Sequence, residues 1–156
     1  MRKENTAYFF CKSTYKISLY MRIREANIFD RYGFPTDQYA QLPAVVTIPQ
    51  GASTEKCAFS YCDTIESLVV EPDAKIKSRS FGYCDKLTLL VCGDGCQLED
   101  KAFEYCRDLG KVFLCGDVKT EQETFSYCGE FELTEAAADE YEALKKSAVF
   151  GSLKGS

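Results

Sequence analysis

Four cysteines stand beside aromatic pairs at a fixed interval. The chain reads "FSYC" at 59–62, "FGYC" at 81–84, "FEYC" at 103–106 and "FSYC" at 125–128, each Phe 22 residues after the last. A thiol in an aromatic box can ligate a metal, close a disulfide or cycle as a redox centre. Cys62, Cys84, Cys106 and Cys128 are the first candidates for such chemistry. Cys57, Cys92, Cys96 and Cys115 add thiols close to them in sequence.

None of the three chemistries fits well. In a stack of repeats, equivalent Cα atoms lie about 4.8 Å apart. That is within disulfide range, but stacked side chains point the same way. Their Cβ atoms therefore stay beyond the ~3.5–4.5 Å a disulfide needs. Nine cysteines is an odd number in a chain too long to need staples, so reduced thiols are expected. Structural zinc takes four ligands. The chain has no His, and a site built on Cys92, Cys96 and Cys115 would have to recruit Cys57 or Asp94. The expectation is a ladder of small buried hydrophobes, with no metal and no cofactor. Lack of His also removes Ser–His and Cys–His nucleophile pairs. "CGDGC" (92–96) is too short for a phosphate loop, and Glu99 beside Asp100 is ordinary acidic surface. The chain is read as not an enzyme.

The elements that carry the boxes form an internal repeat. Residues 46–133 divide into four lines of 22, and their apolar columns coincide: Val46, Leu68, Leu90, Val112; Ile48, Val70, Cys92, Leu114; Ile65, Leu87, Leu109, Phe131. Ile76 and Leu98 fill a further column, which Thr54 and Thr120 occupy less well. Apolar residues at the first and third places of each line alternate as in a strand. Turn residues follow: Pro49 and Gly51, Pro72 and Asp73, Gly93 to Gly95, Gly116 and Asp117. Phe59, Cys62 and Ile65, at i, i+3, i+6, suit a tight helical or 3₁₀ segment with one buried face. A single such unit cannot bury its apolar side, whereas a stack of about six can.

Residues 1–45 read as two degenerate capping coils: "AYFFCKSTYKISL" (7–19) lines up with "AFSYCDTIESLVV" (58–70). After Phe131 the pattern stops. Residues 134–150 read as a helix with Thr134 as N-cap, acids early and Lys145 and Lys146 late. Ala137, Tyr141, Leu144 and Ala148 share one face of it, expected to close the open end of the core. Residues 151–156 read as a flexible tail.

The lines resemble the BspA-type leucine-rich repeat, whose pattern is legible in "VTIP…CAFSYCDTI", "KIKSRSFGYCDKL", "QLEDKAFEYCRDL" and "TFSYCGEF". The resemblance implies an α/β repeat fold: a right-handed leucine-rich-repeat solenoid with a parallel β-sheet on one face, here with a C-terminal capping helix. It also implies an interaction module of bacteria or protists, often displayed as a surface adhesin, that binds rather than catalyses.

Composition narrows the partner. Net charge is −5, with 19 basic residues scattered among 24 acidic ones. A phosphate-binding surface needs clustered Lys and Arg, so nucleic acid is not expected. No apolar run approaches the ~20 residues that span a bilayer. "MRKENTAYFFCKSTYK" lacks a hydrophobic signal segment, so a cytoplasmic location is expected, or a cell-surface one if the chain is a piece of a longer protein. The expected contact surface is the outward strand column: Thr47, Val69, Leu89, Val91, Lys111 and Phe113, with an apolar patch at its centre. Tyr61, Tyr83, Tyr105 and Tyr127 form a second, half-exposed strip on the convex side. The expected function is protein binding through the sheet face, with an adhesive segment binding host macromolecules, or less favourably a small Cys-ligated zinc protein, as alternatives. Dimerisation through the end coils is also open.

Overall fold

The computed structural model describes residues 44–149; the degenerate coils expected at 1–45, save their last two residues, and the tail at 151–156 lie outside them. Each 22-residue line opens with a short strand. These are β1 (Val45–Ile48), β2 (Ser67–Val70), β4 (Leu89–Cys92) and β6 (Lys111–Cys115). All pair in parallel, and the sequence columns become the register: Val46 faces Leu68, Leu68 faces Leu90, and Leu90 faces Val112. The inward members of both strand columns are buried, so the alternation that defined the columns is the alternation between the inner core and the other face of the sheet.

Two further short strands, β3 (Lys75–Ile76) and β5 (Gln97–Leu98), pair in parallel on a second side of the coil. Bridges from Ser53 to Lys75 and from Gln97 to Lys119 extend that ladder. The column of Ile76 and Leu98 in the sequence marks this side without revealing that it is a sheet.

The third side carries the Phe–Tyr–Cys boxes and corrects an expectation. It is a run of turns, not a helix or 3₁₀ segment. Alternate amides serve different partners. Ser60 N and Cys62 N donate within the turn to Cys57 O and Phe59 O, both at 3.2 Å. Phe59 N and Tyr61 N donate across to Ser80 O at 2.6 Å and Gly82 O at 2.8 Å in the next coil. A helix would use every amide locally, whereas here half of them bind the coils together. The same arrangement recurs at Phe81 and Tyr83, and at Phe103 and Tyr105.

Inside, Phe59, Phe81, Phe103 and Phe125 stack with ring centroids 4.9, 5.5 and 5.5 Å apart. Phe131 closes the column with a ring tilted by 52° against Phe125. Each fully buried Phe contributes about 1.5–3 kcal/mol relative to exposure, so this ladder is a principal source of stability.

The C-terminal part differs from expectation. Thr134 is not a helix cap. It lies within a fifth strand, β7 (Glu132–Ala136), which pairs in parallel with β6. A 3₁₀ turn (Ala138–Glu140) follows, and helix α1 (Tyr141–Val149) starts there. The strand is hidden in the sequence because Leu133 pairs with Val112 after 21 residues rather than 22. One residue is missing between Phe131 and the strand, and a one-residue slip moves every strand side chain to the opposite face. The sheet order is β1-β2-β4-β6-β7.

Candidate interaction surfaces

Helix α1 lies across the outer face of the sheet. Val69, Leu89 and Val91 are fully or almost fully buried, in a second cluster with Cys115, Tyr141 and Ala148, and Phe113, Ala136 and Leu144 pack against it. The apolar patch expected to be open is thus the floor of a small second core. Thr47 and Lys111, at the margins of the same face, are half-buried. The face of Ala137, Tyr141, Leu144 and Ala148 was expected to close the end of the stack; Ala137 instead precedes the 3₁₀ turn and is exposed, and the other three cover the sheet. The two apolar surfaces match: a strand column of β-branched and aliphatic residues that would otherwise be wet, and an amphipathic helix that covers it.

The cover is pinned at one point by charge. Lys145 Nζ pairs with the Glu71 carboxylate just beyond β2. Among the described residues the buried hydroxyls of Tyr141, Ser67 and Ser126 have no hydrogen-bond partner. Burial, and then the Glu71 carboxylate, push the Tyr141 phenol well above its ordinary pKa. Tyr141 is therefore a neutral packing group.

The cysteine column is a core ladder. Cys84 Sγ donates to Phe59 O at 3.2 Å, Cys106 Sγ to Phe81 O at 3.1 Å and Cys128 Sγ to Phe103 O at 3.1 Å. All eight cysteines among the described residues are free. Burial raises the thiols of Cys62, Cys84 and Cys92, and pushes Cys96 up to about 12, so these thiols stay protonated and unreactive at neutral pH. Cys92 and Cys96 belong to the inner core and Cys115 to the cluster under the helix. Among the described residues no group of three or more His, Cys, Asp or Glu side chains is placed to hold a metal ion. Among the same residues no helix is long and apolar enough to cross a membrane.

The tyrosine strip is a built surface. Tyr61, Tyr83, Tyr105 and Tyr127 stack nearly parallel, with centroids 4.6, 4.6 and 4.7 Å apart. Tyr61 and Tyr127, at the ends, are 59% and 70% exposed, and the middle two are half-exposed. Stacking uses up the ring faces between neighbours and leaves the edges at the surface. All four sit in the left-handed region, with φ between 60° and 64°. That region costs an L-residue roughly 1–2 kcal/mol, and Gly or Asn would occupy it more easily. Aromatic pairing returns about 0.5–1.5 kcal/mol per pair, so the three stacks offset part of the strain of the four residues. Partial desolvation by its neighbours, and then the flanking phenols of Tyr105 and Tyr61, raise the Tyr83 hydroxyl above its ordinary pKa.

Beside the strip lies a hollow of about 340 Å³ lined by Cys57, Ser60, Tyr61, Arg79, Tyr83 and Glu104, among others. Arg79 Nε donates to Glu104 Oε2 at 2.7 Å, and the Arg107 guanidinium lies 5.6 Å over the Tyr105 ring. Sequence spacing located the strip. The left-handed backbone beneath it was not foreseen, because four non-glycine residues at positive φ carry no compositional signal.

A family model described as BspA type leucine rich repeat region matches residues 38–132 in six copies. Comparison with curated proteins and comparison with solved structures found no match.

Proposed function

The chain belongs to the BspA-type leucine-rich repeat family, and from that premise we propose that it is a non-catalytic recognition module holding a protein partner against its tyrosine strip. The observation that carries this reading is the stack of Tyr61, Tyr83, Tyr105 and Tyr127, kept at the surface in a conformation that glycine would adopt at lower cost. Tyrosine offers large amphipathic contact area with few rotatable bonds, and stacking between coils immobilises it before any partner arrives. Tyr and Arg are enriched where interfaces gain most of their affinity, and Arg79 and Arg107 flank the strip. The sheet face is the weaker candidate, because helix α1 already buries its centre.

The test is affinity capture from the source cell with the native chain and with the triple variant Tyr61→Asn, Tyr83→Asn, Tyr105→Asn. Asparagine tolerates the left-handed region, so the backbone is preserved. Loss of the captured partner at unchanged melting temperature supports the strip; recovery of the same partner by both proteins refutes it.

A further inference from the structure

Among the described residues, nothing stacks on the C-terminal end of the solenoid. Leu133 continues the inward column of Val46, Leu68, Leu90 and Val112, which are all fully buried, yet it is 43% exposed. Among the described residues, strand β7 is paired on one side only. Glu132 N donates back to Gly110 O at 2.9 Å, and Gly116 N donates forward to Ala136 O at 2.8 Å. By the alternation of a parallel ladder, the backbone N–H and C=O of Leu133 and Glu135 therefore face the open side. An exposed core rung beside a row of unpaired backbone groups is a template for another strand. Helix α1 leaves it open because it packs on the sheet face instead.

Charge selects what can dock there. Residues 117–142 carry nine Asp and Glu against one Lys, whereas residues 1–43 carry seven Lys and Arg against four Asp and Glu. Two C-terminal ends would repel each other, while a C-terminal end and an N-terminal part attract. The N-terminal sequence also repeats the columns of the stack, with Tyr8, Cys11, Ile17 and Leu19 in the places of Phe59, Cys62, Leu68 and Val70.

We infer that the open β7 end, with Leu133 at its centre, is a docking surface for a second copy of this chain, joined head to tail through the basic N-terminal part. The contact is heterologous, so it adds copies in series rather than closing a pair. It does not depend on the tyrosine strip.

Sedimentation velocity of the full chain under reducing conditions, across protein concentrations and at low and high salt, tests this. Two variants accompany it. Leu133→Lys puts a charge on the exposed rung. Glu135→Pro deletes one outward-facing N–H while leaving the β6–β7 ladder intact. The expected result is a sedimentation coefficient that climbs past that of a dimer with concentration and falls back at high salt. Each variant should keep the native circular dichroism and require about tenfold more protein to associate. A chain that stays monomeric throughout, association that neither variant weakens, or association insensitive to salt would overturn the inference.

Discussion

Lys145 reaches from helix α1 to the Glu71 carboxylate just past β2, and this ion pair ties the C-terminal helix to the sheet it covers. Both side chains are partly exposed, so the pair contributes at most about 1 kcal/mol. Lys145→Ala is expected to lower stability by less than that in urea titration, with the difference shrinking as salt is added. A loss of several kcal/mol would mean that the pair, rather than the apolar contact, holds the helix down.

Val91→Glu separates a covered sheet face from an open one. Val91 is fully buried beneath the helix. A carboxylate there is desolvated without a partner, and a loss of about 3 kcal/mol or more is expected in denaturant unfolding. On an open surface the same change would stay within about 0.5 kcal/mol. Ala148→Glu, its counterpart on the helix, is expected to free the helix and expose the floor to a fluorescent apolar dye.

Phe81 is stacked between Phe59 and Phe103 and fully buried. Phe81→Ala should cost about 3–5 kcal/mol, read as a drop in the urea midpoint at constant slope. Phe125, near the end of the column and half-buried, should cost distinctly less. Equal losses would contradict a core that thins towards the C-terminal end.

The buried thiols make stability fall in alkali. Cys96 goes from a usual value of 9.0 to about 12 in the folded chain, because burial disfavours the thiolate. Between those values the unfolded thiol has lost its proton and the folded one has kept it. Folding is therefore progressively disfavoured as pH rises. The contribution is fully present below about pH 9 and is lost towards pH 12, and Cys62, Cys84 and Cys92 shift in the same direction. Urea midpoints should be flat with respect to these groups from pH 7 to about 9 and fall steeply above. Cys96→Ala should make that fall shallower.

Tyr83→Asn removes two ring stacks but places a residue suited to φ 60° at the position. Lost stacking and relieved strain are of similar size, so the melting midpoint should move by no more than about 1 kcal/mol equivalent. A larger loss would show that the strip is mainly structural, and would weaken its reading as a contact surface.

Much of this was legible in the sequence, for a definite reason. Stacked coils repeat the same environment every 22 residues, so Val46, Leu68, Leu90 and Val112 are chosen alike and their column shows in one chain without relatives. The Phe and Cys ladders, the parallel register and the surface position of the tyrosines follow from that period. Three features were decided only by tertiary structure. Strand β7 was lost to a single missing residue, because a pattern of period two cannot be followed through a slip of one. The turn side was mistaken for a helical one, because a three-residue spacing of buried side chains does not tell whether amides bond within a coil or between coils. The apolar face of Val69, Leu89 and Val91 looked like a binding site because local sequence records that a surface is apolar, not what covers it. Its cover comes from Tyr141, Leu144 and Ala148, far along the chain. The period set the solenoid; which of its faces stays open was settled by where the non-repeating helix Tyr141–Val149 packs.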